Sequence, residues 1–257
     1  MLTLLRLVGP VSLLGGLLLM AGCGEPLRPV LDPAEFKARI ERDNAAMAAV
    51  MEDSVSRIMQ RVEQRMAEGK ETTINFLAIS GGGDWGAFGS GFLVGWGEAP
   101  DPQYRRPDFD AVTGVSTGAL LAPFVFVGTD EAVMEVDTFY RNPETSWIKS
   151  RGLLFFMPWN PSFLTIPGLR EDIENSATRE FVSAMAEQSR KGKVLIISAT
   201  DVDLGRQRFW GIGPLAEAAE STGDLKSVTR YMLASSAIPV AFPPVEIDDG
   251  LYIDGGV

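Results

Sequence analysis

The sequence contains no histidine. That removes the commonest metal ligand and the usual general base, so a serine hydrolase built on this chain cannot use a Ser-His-Asp triad. It contains a single cysteine, Cys23, which excludes an intramolecular disulfide and a thiolate zinc cluster. Cations are also scarce: 23 Lys and Arg stand against 34 Asp and Glu, a formal net charge of -11. Such a chain repels phosphate backbones, which disfavours a nucleic-acid partner. It is not drawn to anionic lipid either, so membrane contact requires an apolar or covalent anchor. With 46% hydrophobic and 22% charged residues, the 257-residue chain has the composition of a globular protein with a real core.

The lone cysteine falls in a telling place. Residues 1–22 carry an early positive charge, Arg6, then the apolar run "LVGPVSLLGGLLLM" and the ending "LMAGC". A short apolar core broken by Gly and Pro, with small residues before the break, describes a secretory signal better than a membrane span. The ending resembles a bacterial lipoprotein lipobox, with Ala21 and Gly22 preceding a lipid-accepting Cys23. An ordinary signal peptide that happens to contain a cysteine is the plainer reading. The lipoprotein reading is preferred because the only cysteine occupies the one position that signal needs. Cleavage before Cys23 removes Arg6 and no acid, taking the net charge from -11 to -12.

Residues 23–31, with two prolines, read as a tether. Asp32-Pro33 then reads as an N-cap followed by proline at the first helical position. Across residues 32–69, Phe36, Ile40, Met47, Met51, Val55, Ile58, Val62 and Met66 recur at helical spacing, and Gly69 is a natural stop. The expectation is an amphipathic helix packing on the domain behind it. Beyond it, strand candidates "INFLAI", "FDAVTGV", "KVLIISATDVD" and "LYIDGG" are separated by helical segments, with "RQRFWGI" as a short pairing strand. This alternation predicts an α/β fold, with a mainly parallel central sheet and helices on both faces. The segment from Leu153 to Phe163 is rich in aromatics and proline; it reads as a lid or lipid-contact surface, or equally as core.

"GVSTG", residues 114–118, sits between "FDAVT" and "ALLAPFVFV" with Ser116 at its centre. G-x-S-x-G at a strand-to-helix turn is a nucleophile elbow: it exposes the serine at a helix N-terminus, where backbone N–H groups favour developing negative charge. With no histidine, the best-placed candidate base is Asp254, which ends an apolar strand and precedes two glycines; on its own an Asp-Gly turn is the better reading of it. "SGGGDWG", residues 80–86, satisfies G-x-G-x-x-G after a strand, a pattern that seats a pyrophosphate or another anion.

Taken together, "GGGDWG", "GVSTG", "ATDVDLGR", "ASSAIPVAFPPV" and "DGG" resemble, in order, the patatin-like phospholipase family over most of residues 74–257. The resemblance implies a three-layer α/β/α catalytic domain and a lipid acyl hydrolase with a Ser-Asp dyad. Ser116 would be its nucleophile and Asp254 its general base. It also implies an oxyanion hole from the backbone N–H groups of Gly82, Gly83 and Asp84, with no metal or organic cofactor. Pro239, Pro243 and Pro244 would fix the loop ahead of the aspartate, with no catalytic role. Two departures stand out. Trp85 occupies the position where the family usually has Arg or Lys, and the chain stops soon after Asp254 where family domains generally continue. The domain is therefore expected either to be truncated or to carry its catalytic strand almost at the terminus.

Two other readings fit less of the sequence. A dinucleotide-binding oxidoreductase needs an acid at the end of the second strand, but Asp101 and Asp108 precede that strand, and "GVSTG" and "DGG" go unexplained. A non-catalytic envelope protein that keeps the fold and binds lipid accommodates Trp85, yet gives no reason for Ser116, Asp254 and the glycine loop together. The expectation is an esterase or phospholipase A-type hydrolase in the bacterial cell envelope, with a lipid or ester substrate and membrane anchorage through lipidated Cys23. N-terminal mass spectrometry of the envelope fraction is expected to show an acylated peptide beginning at Cys23. An unacylated N-terminus beyond Cys23 refutes the anchor.

Overall fold

The computed structural model describes residues 30–143, 147–152, 160 and 162–257. The signal, Cys23 and most of the tether lie outside the described residues, as do 153–159 and 161 of the aromatic segment. Among the described residues no helix is long and apolar enough to cross a membrane.

In chain order the elements are α1 (Pro33–Ala67), β1 (Phe76–Ile79), α2 (Gly86–Gly97), β2 (Ala111–Val115), α3 (Thr117–Val127), α4 (Asp130–Arg141), β3 (Lys149–Ser150) and β4 (Leu164–Thr165). They continue with α5 (Pro167–Ser176), α6 (Arg179–Arg190), β5 (Val194–Asp201), β6 (Arg206–Gly211), α7 (Ile212–Thr222), α8 (Thr229–Ser235), β7 (Val245–Ile247) and β8 (Gly250–Ile253). Helices flank a six-stranded mixed sheet in a three-layer α/β/α arrangement; β3 and β4 form a separate two-stranded ribbon. β1, β2 and β5 are the parallel part, and β6, β8 and β7 extend it with antiparallel pairings. β2 and β5 read as near-continuous apolar runs because both of their faces are covered.

The centre of the sheet depends on β5. Its residues Val194–Ser198 pair with β2, and Thr200 and Asp201 pair with Ile253 and Tyr252 of β8. β6 takes Ile196–Asp201 from the other side. A strand has two edges, so β2 and β8 share one of them, running toward each other from opposite ends and meeting near Ser198–Thr200.

The segment "LREDIENSATREFVSAMAEQSR" forms two helices rather than one continuous run. Thr178 breaks it by capping α6 with its hydroxyl, which accepts the N–H of Phe181 at 3.1 Å. "GPLAEAAEST" supplies α7, an element that the alternating pattern did not reveal.

α1 is the helix its spacing predicts, capped by Asp32, which accepts the N–H groups of Ala34 and Glu35. Its docking face differs from expectation. Ile40, Met47, Ile58 and Val62 are half-buried, whereas Phe36, Met51, Val55 and Met66 are exposed. The contacts with the domain are instead dominated by arginines. Arg39 pairs with Asp201 and Asp203, Arg57 donates to the carbonyl of Ser189, and Arg61 and Arg65 converge on Asp110. Periodicity locates the helix, but acids on the domain select the face that docks.

Asp110 is fully buried and accepts from Arg61 Nε at 2.9 Å, from Arg65, and from the N–H of Asn75 at 2.9 Å. Burial alone would raise its pKa, but the Asn75 N–H and the two guanidinium groups outweigh burial and lower it. A carboxylate with a depressed folded-state pKa adds stability above its unfolded value, near 3.8, and loses it as pH falls through the folded value. Asp110→Ala is expected to cost about 2 kcal/mol in urea unfolding at neutral pH, less than a fully dry pair because both arginines keep some solvent contact. The difference between wild type and variant should vanish in strong acid; an unchanged difference there refutes the linkage.

Candidate active site

β2 delivers the chain to a tight turn at Ser116, whose φ of 56° and ψ of -128° lie in a region that non-glycine residues rarely adopt. The turn is held by close packing. A Cβ on Gly118 would lie 2.3 Å from the Ile79 carbonyl oxygen, so only glycine lets α3 begin this close to the end of β1. A Cβ on Gly81 would lie 2.8 Å from that of Ser116, which brings the glycine loop directly against the serine. The backbone N–H of Ser116 donates to Ser235 Oγ at 2.9 Å, and Ser235 Oγ donates to the Ser198 carbonyl at 2.6 Å.

Ser116 Oγ donates a hydrogen bond of 2.5 Å to Asp254 Oδ2, joining side chains 138 residues apart in the sequence. Both residues are buried. The other carboxylate oxygen, Oδ1, accepts the N–H of Gly256 at 2.8 Å, and the Asp254 N–H donates to the Ala237 carbonyl at 2.8 Å. Gly255 is needed for this approach: a Cβ there would meet the Ser198 carbonyl oxygen at 2.5 Å and Val115 at 2.7 Å. Asp254 lies on the same edge of β5 as Ser116. It reaches Ser116 from a strand running the opposite way along that edge, at the meeting point of β2 and β8.

The glycine loop leads from β1 into a single 3-10 turn, Gly83–Trp85, before α2. The N–H of Trp85 closes that turn on the Gly82 carbonyl at 3.1 Å. Gly83 and Asp84 occupy the first two positions of the turn, where N–H groups have no partner within it. Gly83 has φ of +55°. The indole of Trp85 is 77% exposed, so only its backbone takes part in the turn. Beyond the loop, a Cβ on Gly86 would lie 2.2 Å from Thr117 Oγ1, so the loop and the elbow pack against each other on both sides of Ser116.

Sequence reasoning missed two contributors. Ser235 lies inside "ASSAIPVAFPPV", where only the prolines drew attention, and its role depends on a contact across 119 residues. Tyr140 hydrogen-bonds Thr117, next to Ser116. Burial pushes its phenol above the usual value, the bond to Thr117 opposes this, and the Asp84 charge adds to the rise, so Tyr140 is neutral at physiological pH. Tyr140 also lines an apolar cavity of about 60 Å³ with Leu120, Phe124, Phe139, Trp147 and Met232. Leu120 lies one turn along α3 from Ser116.

A family model for patatin-like phospholipases matches residues 77–257. The chain belongs to the patatin-like phospholipase family. Comparison with curated proteins gives no significant match. A patatin-like domain of this extent supports a lipid hydrolase in general, and it contains the glycine loop, Ser116 and Asp254. α1 lies outside the matched residues. Within the patatin-like region, Gly118→Ala is expected to cost about 1–3 kcal/mol, because the added methyl must displace the backbone at the end of β1. Urea denaturation measures it, and wild-type stability in the variant refutes the close-packing account.

Proposed function

We propose that the protein is a serine acyl hydrolase of the esterase or phospholipase A type, with Ser116 as nucleophile and Asp254 as general base. The observation that carries this reading is the 2.5 Å hydrogen bond between two buried side chains in a chain without histidine. Asp254 accepts the Ser116 proton as Oγ attacks the ester carbonyl carbon. The carbonyl electrons move onto oxygen, giving a tetrahedral oxyanion. Collapse expels the alcohol, which takes the proton back from Asp254, and leaves an acyl group on Ser116. Water then gives a proton to Asp254 as it attacks the acyl carbon, and Ser116 departs with that proton as the acid is released.

The oxyanion needs donors, and the Ser116 N–H is already engaged by Ser235. The N–H groups of Gly82, Gly83 and Asp84 are the donors we assign. Each such donor stabilises the transition state by about 3 kcal/mol. The N-terminus of α3 adds a favourable field at the same point. The match to the patatin-like phospholipase family supports a lipid substrate; the small apolar cavity beside Leu120 and Tyr140 is lined by neither Ser116 nor Asp254. Anchorage in the bacterial envelope through lipidated Cys23 would bring the site to such substrates. Retention of the lipid-binding fold without catalysis is the competing reading. The exposed Trp85, standing where the family usually has a cation, favours it, and the Ser116–Asp254 contact argues against it.

Hydrolysis of a phospholipid panel and of short p-nitrophenyl esters separates the two. Ser116→Ala and Asp254→Asn are each expected to lower kcat by about 10³-fold or more. A fluorophosphonate probe should label the wild type and not Ser116→Ala. Equal activity in wild type and both variants would falsify the dyad, and an intact wild type that neither hydrolyses nor labels supports the binder.

A further inference from the structure

β8 is four residues long, and its partners in the sheet are two residues of β5 and the three-residue strand β7. So short a hairpin fixes the following residue poorly by itself. Asp254 is nevertheless required within hydrogen-bond reach of Ser116 at every turnover. Asp254 itself is held by the Ala237 carbonyl and by the packing at Gly255, and the strand that leads to it is held by α1. The Arg39 guanidinium is buried, and its two terminal nitrogens donate to Asp201 Oδ2 at 2.6 Å and Asp203 Oδ2 at 2.9 Å. Asp201 Oδ1 accepts the N–H groups of Asp203 and Leu204 at 2.9 and 3.0 Å, which fixes the turn between β5 and β6. The backbone of Asp201 pairs with Tyr252, and the N–H of Val202 donates to the Leu251 carbonyl at 2.8 Å.

The same guanidinium lies directly against β8. A Cβ on Gly250 would stand 2.6 Å from the Arg39 terminal nitrogen and 2.6 Å from the Tyr252 ring. Arg39 therefore holds both sides of the β5–β8 pairing, just ahead of Asp254. Burial opposes its charge, but the hydrogen bonds and charges of Asp203 and Asp201 more than compensate and raise its pKa, so it remains cationic throughout the working range.

We propose that Arg39 is a positioning residue for Asp254, and that α1, which lies outside the matched family domain, is the clamp that holds the catalytic aspartate in register with Ser116. The inference rests on the Ser-Asp reading given above. α1 then contributes to turnover without touching the substrate.

The test measures kcat and KM for a p-nitrophenyl ester, together with the rate of fluorophosphonate labelling. Circular dichroism sets the folded fraction, below the melting temperature of every variant. Arg39→Met should lower kcat and the labelling rate by about tenfold to a hundredfold, with KM unchanged. Arg39→Lys keeps the charge but reaches one carboxylate, and should fall between. Gly250→Ala leaves every charge in place while pushing the guanidinium and Tyr252 apart, and should also lower kcat; it decides the matter if Arg39→Met does not fold. Arg57→Ala weakens α1 at its contact with α6, away from β8, and should lower the melting temperature while leaving kcat within about twofold. Wild-type kcat per folded molecule in Arg39→Met, or in Gly250→Ala where Arg39→Met does not fold, overturns the positioning role. If the wild type hydrolyses and Ser116→Ala does not, that failure belongs to this inference alone. If Ser116→Ala remains fully active, the underlying reading fails first.

Discussion

One edge of β5 organises the molecule. β2 runs along it from one end and β8 from the other, and the two chains meet where Ser198 and Thr200 leave the edge between them. The serine that turns away from β2 and the aspartate that leaves β8 have nowhere to go except toward each other. The hydrogen bond between Ser116 and Asp254 is thus a consequence of strand pairing, and their approach is limited by how closely three backbones pack. Glycine at 81, 118 and 255 sets that limit, because a methyl group at any of them would strike a neighbour at under 3 Å. The N–H of Ser116, held by Ser235, completes the constraint.

Much of this was legible in the sequence. The period change from strand to helix located β1, β2, β5 and the helices after the first two of them, and "GVSTG" stood at the turn where the elbow forms. Asp254 was legible as the base only through the family resemblance of the whole motif set; the missing histidine and the apolar strand before it left it more readily a turn. The head-on approach of β8 was not legible, because pairing direction is set between segments more than fifty residues apart and leaves no trace in local periodicity. Ser235 was invisible for the same reason. α1 shows a different limit: an apolar row at helical spacing marks a helix, yet buried acids on the domain drew its arginines inward and left half of that row exposed.

The scarcity of cations acquires a structural meaning in this light. Arg39, Arg57, Arg61 and Arg65 all point from one helix into the domain, where they meet Asp201, Asp203, Asp110 and the carbonyls of Ser189 and Lys191. Buried charge of this kind contributes mainly by fixing geometry, since removing two ions from water offsets most of their attraction. An acidic chain that commits cations inward has fewer for its surface. Electrostatic attraction to anionic lipid is correspondingly weak.

α3 carries a consequence of its own. Every residue from Thr117 to Val127 except Leu120 is buried, so the helix that supports Ser116 has almost no solvent-facing side. Substitutions along it meet the core at once. At the rim that constraint is absent: Trp85 is held through its backbone in the turn while its side chain meets solvent, so a change of side chain there leaves the core untouched.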